Sequence, residues 1–586
     1  MARIDRLRRL AVAAAIVPCI TFSLAAHDSV TAQDAGPAPD VAIQVDLDQR
    51  VGDMTPIWAY FGYDESTFTY LPDGRNLLSE LSELSPVPVY VRTHNMLTSH
   101  EGPPVALKWG STNAYTEDEN GNPVYDWTDV DRIVDVWFER GIKPLMEIGF
   151  MPKALSSNPE PYRHNWSPGD PYADIWTGWA HPPEDYEKWA ELIYQWVRHS
   201  VERYGADEVS TWWWQVWNEP DAGYWAGTDE EFFKLHDYTA DAVKRALPAA
   251  RIGGPHVTGA YSRRQGAFLR AFLEHCRSGT NYVTGETGSP LDFIAFHAKG
   301  SPQVTDQGHV RMRMSFQLRQ IAAAFEIVRS FPEFGDLPVI IGESDPEGCA
   351  ACSSVVYPHN SYRNGTMFSS YVASSFAKKY ELADEIGTNL VGAVSWTFIF
   401  PDHPYFAGFR SLAAASVIGK PVLNVFRMFG MMGGDRVAVR RDNAYTARRV
   451  IAEGVLAEPD INALASRDGN VASIMIWNYH DDDVKAPPAR VRLDLANVPA
   501  SQAMLHHYRI DETHSNAYTK WLEMGAPQQL SREQLASLRE SGHLELLTSP
   551  QWVNPQEGAL NIALDLPRQG VSLLQLTWED EPGTVP

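Results

Sequence analysis

The sequence predicts an α/β protein, a (β/α)8 TIM barrel followed by a C-terminal β-sandwich domain, and three observations carry that prediction. Short apolar runs alternate with longer amphipathic stretches over the first three quarters of the chain, the pattern of a parallel sheet with crossover helices. From about Arg436 the strands lose their helical spacers. Two of the apolar runs end in a glutamate, Glu219 and Glu343, and a carboxylate directly behind a buried strand is better explained by chemistry than by packing.

The apolar runs are Ile57–Tyr63, Val87–His94, Lys143–Gly149, Thr211–Glu219, Arg251–Val257, Leu291–His297, Leu337–Glu343 and Leu390–Phe398, eight in all. Between them the helical spacing predicts Asp129–Arg140, Pro183–Tyr204, Asp229–Ala246, Gly266–Cys276, His309–Phe331 and Asn364–Ala383. In the first of these Val130, Ile133, Val134 and Trp137 share one face and Gly141 is the stop. Eight strands interleaved with helices close as a barrel, whose active site lies at the C-terminal ends of the strands. Glu219 and Glu343 end the fourth and seventh strands and therefore face one mouth, where the pair suggests an acid and a nucleophile.

Beyond the barrel, expected over 51–435, Val471–Tyr479, Ala489–Leu495, Met504–Ile510, Leu560–Leu566 and Val571–Trp578 read as sandwich strands within 436–586. Val41–Asp48 alternates apolar and polar residues and is expected to add a strand to that domain, behind a short linker, Ala35–Pro39.

With 586 residues, 44% of them hydrophobic and 21% charged, the chain can bury a large core, and disorder or a fibrous build is excluded. A formal net charge of −25 without a basic stripe argues against nucleic acid as a partner. The chain carries 19 Trp, 24 Tyr and 23 Phe, which suit both barrel packing and stacking on sugar rings. Its first residues pair a basic segment, Met1–Leu10, with a short apolar one. That is an export signal over 1–32, cleaved after Ala25 or Ala32, with a periplasmic or extracellular destination and no membrane insertion afterwards. Pro18 beside Cys19 fits a lipoprotein anchor poorly. Without the signal three cysteines remain, and Cys349-x-x-Cys352 reads as a local bridge or two buried thiols, since nothing completes a zinc set.

Asn218-Glu219-Pro220 after an apolar strand resembles the acid/base motif of retaining glycosidases built on (β/α)8 barrels, and further motifs narrow the resemblance to glycoside hydrolase family 39, which includes β-xylosidases and α-L-iduronidases. Tyr125–Asp135 and Lys143–Pro152 look like that family's stretch around strand three, Val91–His94 its strand two and Leu291–His297 its strand six. Tyr508–Asp511 and His514–Tyr518, ahead of Trp521, are similar to its second domain. The resemblance implies Glu219 as general acid/base and Glu343 as nucleophile, with no cofactor and no metal, acting on an oligosaccharide or glycoside. Glu219 then needs a raised pKa, which apolar neighbours such as Trp217 would supply. Asn218 would hydrogen-bond the sugar 2-hydroxyl, His94 and His297 other hydroxyls, and Trp396 would form a stacking floor. Glu147 lies inside strand three, where an ion pair with Arg92 and a substrate contact are both open.

The resemblance divides over the sugar. His297-Ala-Lys-Gly300 and Glu343-Ser-Asp-Pro346 look like the iduronidase branch, in which Lys299 and Arg410 would hold a uronate carboxylate. Ser395-Trp-Thr-Phe398 looks like the xylosidase branch. Lys299 has a plainer alternative, a pair with Asp345. A β-xylosidase or other pentose-releasing exo-enzyme ranks first, a uronidase second, and release of a disaccharide from an arabinose-rich side chain third. A catalytically silent sugar-binding barrel would not need the carboxylate pair. A metallohydrolase would have to use His480–Asp483 or His506-His507, which read instead as solvated surface charge.

Overall fold

Eight parallel strands close a barrel: Tyr60–Tyr63, Tyr90–Thr93, Lys143–Ile148, Trp213–Val216, Arg251–Val257, Phe293–His297, Val339–Glu343 and an eighth interrupted strand, Leu390–Ala393 with Ser395–Trp396. The interruption makes closure possible. Leu390–Ala393 pairs with the seventh strand, while Ser395 and Trp396 pair with Phe61 and Gly62 of the first. The computed structural model describes residues 40–99, 111–165, 174–397 and 403–579. The export signal over 1–32 with Cys19, the linker over 35–39 and Phe398 lie outside the described residues.

A helix follows every barrel strand. They are Pro72–Ser82, Thr128–Phe138, Tyr186–Tyr204, Asp229–Ala246, Arg263–Ser278, Met314–Arg329, Thr366–Ile386 and Pro421–Gly430. Their starts carry the expected chemistry: Asp185 caps the third, and Thr228 with Glu231 and Ser262 with Gln265 form capping boxes on the fourth and fifth. The first and last of these helices were not expected. Pro72-Asp-Gly has the composition of a turn, although Pro at the first helical position is favourable, and Pro421–Gly430, at 10 residues, is short for a periodic pattern to stand out.

The all-β region forms one hydrogen-bonded sheet of nine strands. In spatial order they are Glu545–Val553, Ala503–Ile510, Val571–Thr577, Val471–Tyr479, Asp460–Asp468, Asp435–Arg440, Asp40–Asp53, Ala489–Ala496 and Leu560–Leu566. Asp40–Asp53 thus lies within this sheet, parallel to Ala489–Ala496 and antiparallel to Asp435–Arg440. Strand Val471–Tyr479 shows how the sheet meets the barrel. Ala472, Ile474 and Ile476 enter the sheet's own core with Ile43, Leu493 and Leu574, while Met475, Trp477 and Tyr479 join the barrel core. Buried Asp460 fastens the junction, accepting from Trp477 Nε1 at 3.0 Å and from Ser374 Oγ of helix Thr366–Ile386 at 2.8 Å.

His480–Asp483 is a correction to the expectation of solvated charge. Asp481 is buried and accepts from Tyr479 Oη and the Met314 and Val455 N–H groups, and Asp482 pairs with Arg311, so this segment also ties sheet to barrel. His507 is likewise buried, with Nε2 3.0 Å from Ser572 Oγ. Two helices, Ala517–Glu523 and Arg532–Ser541, interrupt the all-β rhythm.

Gly342, beside Glu343, leaves the space that the His256 ring occupies against His297. Gly342→Ala is expected to lower unfolding free energy by about 1–3 kcal/mol, as overpacked cores do. Urea denaturation measures it, and an unchanged midpoint would show that the ring is free to move.

Candidate active site

The ends of strands two, three, four and seven bring polar and charged groups together around one guanidinium. Arg92, fully buried on strand two, donates from Nε to Gln215 at 2.9 Å, from Nη1 to Glu343 at 3.1 Å and from Nη2 to Asn218 Oδ1 at 2.7 Å, and Nη2 also lies 2.7 Å from Glu147. The two readings left open for Glu147 resolve to the ion pair with Arg92. Its second contact is His94 Nδ1, also at 2.7 Å.

Above this layer opens a cavity of about 350 Å³, lined by Glu219, Glu343, Asn218, His94, Lys299, Trp396 and Arg410 together with Asp64, Tyr162, Tyr224, Thr258 and the segment Gly348–Ala351. Of the residues expected to act as acid, nucleophile or binder of the sugar, His297 lies off that wall. It is fully buried behind Glu219, with Nδ1 2.9 Å from Glu219 Oε1. Nε2 of His297 lies 3.3 Å from Nδ1 of His256, which sits at a register shift in strand five.

Chain geometry sets Glu219. Strand four stops at Val216, and Trp217 and Glu219 then adopt positive φ values of 66° and 47°, a conformation that non-glycine residues seldom take. The Glu219 N–H donates to the His256 carbonyl at 3.0 Å. Glu343 needs no such turn, since it ends strand seven in register with His297.

Lys299 joins the two carboxylates. Its Nζ lies 2.5 Å from Glu219 Oε1 and 2.8 Å from Glu343 Oε2. The alternative reading of Lys299, a pair with Asp345, is not the contact this lysine makes. Its ammonium also lies beside a group of possible metal ligands, since one atom each of Glu219, His297 and Glu343 falls within 4.8 Å of the others. With Lys299 on both carboxylates, the charge that a metal ion would neutralise is already met.

The pKa expected for Glu219 is corrected in sign. Burial pushes its carboxyl up, but Lys299 and then the His297 hydrogen bond outweigh burial and hold it down at about 2. Trp217 does not decide the matter because a cation at contact distance is stronger than apolar surroundings. Glu343 is also buried, and Lys299, His297 and Arg92 together hold it well below the usual carboxylate range. Both groups are ionised in the ligand-free site.

Arg410 reaches the cavity already paired. Nη1 lies 2.9 Å from Glu347 and Nη2 3.5 Å from Asp345, and Glu347 is further held by Arg363 at 2.8 Å. Burial raises the Asp345 carboxyl to about 6 despite Arg410. Arg363 also donates to the carbonyls of Cys349, Cys352 and Gly408, fixing the loop after strand seven that carries the Cys349–Cys352 disulfide into the cavity wall. Cys276 is a buried free thiol.

Sequence reasoning did not find Asp64, His256, Glu347 or Arg363. Asp64 follows the first strand's apolar run by one residue, as Glu219 and Glu343 close theirs, and that position was its available signal.

Comparison with known proteins agrees with this geometry. The chain is 27% identical over 508 residues to a β-xylosidase of Geobacillus stearothermophilus, covering 84% of this chain and 88% of the relative. A monomeric β-xylosidase from Caulobacter crescentus CB15 has the same fold, with a TM-score of 0.70 and 22% identity over 92% of this chain and 99% of that one. So does a bacterial orthologue of human α-L-iduronidase, with a TM-score of 0.73 and 20% identity over 94% and 85%. The profile described as glycosyl hydrolases family 39 matches residues 41–552, which hold the whole barrel and both glutamates, and the chain belongs to that family.

Proposed function

We propose that this glycosidase is a retaining, exo-acting β-xylosidase-like enzyme, exported, that releases a neutral pentose from an oligosaccharide or glycoside of plant or microbial origin. The observation that supports the mechanism is the shared contact of Glu219 and Glu343 with one ammonium, at 2.5 and 2.8 Å, a proximity that suits the close carboxylate spacing of a double displacement. Glu343 attacks the anomeric carbon while protonated Glu219 gives its proton to the leaving oxygen. Water, deprotonated by the now ionised Glu219, then releases the sugar from the glycosyl-enzyme.

The surroundings divide these roles. Glu343 keeps Arg92 as a fixed counter-ion even when Lys299 moves, so it stays ionised as a nucleophile must. Glu219 has no guanidinium, so departure of Lys299 toward a bound ligand leaves burial to raise its pKa and load the proton. Asn218 Oδ1 is engaged by Arg92, which turns its amide N–H groups to a sugar hydroxyl. Tyr162, Tyr224 and Trp396 supply apolar faces for a ring.

Charge supports a neutral sugar. The carboxylates Asp64, Glu147, Glu219, Glu343, Asp345 and Glu347 outnumber the permanent cations Arg92, Lys299, Arg363 and Arg410, and each of those cations is paired with an acid of the protein. The presence of Lys299 and Arg410 on the cavity wall supports a uronide as the second reading. We also read the nine-stranded sheet as a sandwich, because Ala489–Leu495 near one end shares a core with Ala503 and Leu505 near the other. Among the described residues no helix is long and apolar enough to cross a membrane.

Glu219→Gln and Glu343→Gln are each expected to cut kcat/KM for an aryl β-xyloside by about a thousandfold or more, with melting temperature retained and wild-type product formed with its anomeric configuration kept. Stopped assays and proton NMR of the first product read this, and inverted product would sink the mechanism. Lys299→Met removes the cation that depresses Glu219, so its pKa rises. The alkaline limb of kcat/KM, which falls as Glu219 loses its proton, is then expected to move to higher pH. A limb that stays in place would mean that Lys299 does not set that proton.

A further inference from the structure

Asp64 stands apart from the other carboxylates of the cavity. Glu219, Glu343 and Glu347 each touch an arginine or lysine, and Asp345 lies 3.5 Å from Arg410. Among the described residues no arginine or lysine ion-pairs with Asp64. Its Oδ2 accepts from Trp396 Nε1 at 3.2 Å, and its Oδ1 lies 3.5 Å from His94 Nε2. Although the residue is only 7% exposed, its side chain is part of the cavity wall. A buried carboxylate so placed is short of donors, and burial accordingly raises its pKa.

His94 completes the arrangement. Glu147 is an acceptor for Arg92, and it takes the Nδ1 proton of His94 at 2.7 Å, so the Nε2 edge is aimed at Asp64. Burial opposes a positive charge on His94, but Glu147 and Asp64 prevail and its pKa is raised. A protonated Nε2 beside an ionised carboxylate is one donor next to one acceptor. A sugar hydroxyl, which both accepts and donates, matches that edge, whereas a second carboxylate matches only half of it and meets the Asp64 charge in a low-dielectric wall.

We propose that Asp64 is a specificity-determining residue of this site, accepting a hydrogen bond from a ring hydroxyl of the bound sugar to which His94 Nε2 donates, and excluding an anionic substituent from that corner. The inference rests on the reading of the cavity as the sugar-binding site and deepens it: Asp64, more than Lys299 or Arg410, selects the charge of the sugar. Trp396 connects the two, because the indole that would lie under the ring also orients the carboxylate.

The test compares Asp64→Asn with wild type by inhibition with D-xylose and with D-glucuronate. Asparagine keeps the shape and the acceptor for Trp396 and removes the charge. The ratio of xylose to glucuronate affinity is expected to fall by about tenfold or more, since a site built for a hydroxyl discriminates strongly once its acceptor is satisfied. A ratio unchanged within about twofold overturns the proposal. A second measurement needs no variant: methyl β-xylosides deoxygenated at position 3 or at position 4 are compared with the parent on wild-type enzyme. One of them is expected to bind about tenfold or more weakly, and equal binding of all three overturns the proposal as well. A wild type that turns over no xyloside ends the β-xylosidase reading but not this comparison, which reads binding of ligands rather than cleavage.

Discussion

A fully buried guanidinium at the centre of a barrel is the constraint on which the site depends. Removing Arg92 from water costs several kcal/mol unless its donors are met, and they are met by four groups from three strand ends: Glu147, Gln215 with Asn218, and Glu343. Each partner is then fixed in turn. Glu147 is also held by His94 and by Gln215 Nε2, Gln215 donates as well to the Trp217 carbonyl at 2.9 Å, and Asn218 is oriented just ahead of Glu219. The hydrogen bonds that stabilise Arg92 thereby hold the turn that carries one glutamate and the strand end that carries the other. Packing alone would not give this precision, because the surrounding strands are apolar and tolerant of small shifts.

Lys299 is the counterpart at the mouth. Arg92 is locked from below by neighbours in several strands, whereas Lys299 stands on the loop after strand six with Glu219 and Glu343 as its partners. The asymmetry between the glutamates follows from geometry: one keeps a cation whatever the lysine does, and the other does not. His297 and His256 sharpen it. Both are buried with pKa values lowered by desolvation, so the pair behind Glu219 is a neutral hydrogen-bonding support and adds little fixed charge. A carboxyl with a neutral support and a removable cation can cycle its proton. A carboxylate with a permanent one cannot.

The eight barrel strands were legible in the sequence because each is a short apolar run, and the two glutamates because they end such runs. What escaped has physical reasons. Helix Pro72–Ser82 opens with turn residues, and Asp460–Asp468 carries Asp, Asn and Ala at five of its nine positions, residues with little strand preference. Strand Glu545–Val553 contains Pro550, which reads as a break yet is tolerated at the edge of the sheet where this strand lies. Asp64 meets Trp396 across 332 positions and Arg410 meets Glu347 across 63, so no local pattern announces either. The depressed pKa of Glu219 was beyond reach for the same reason. Lys299 was visible as a residue, but its position between two carboxylates exists only once strands four, six and seven are side by side.

The cations of the cavity also show why residue identity alone does not name a sugar. Lys299 and Arg410 are the residue types that a carboxylate-bearing substrate requires, and both reach the wall. Arg410, however, shares Glu347 with Arg363 and stands near Asp345, and the same arginines hold the loop containing the disulfide, so withdrawing Arg410 toward a ligand would leave two buried acids short of a partner. A cation whose charge is already matched offers a ligand its hydrogen bonds but little net attraction. On one barrel skeleton, therefore, the choice between a neutral and an anionic sugar need not come from gaining or losing a lysine or arginine. It follows from how many protein carboxylates are placed within reach of those that are present, and in this chain Asp64 adds to the cavity wall a carboxylate with which, among the described residues, no arginine or lysine ion-pairs.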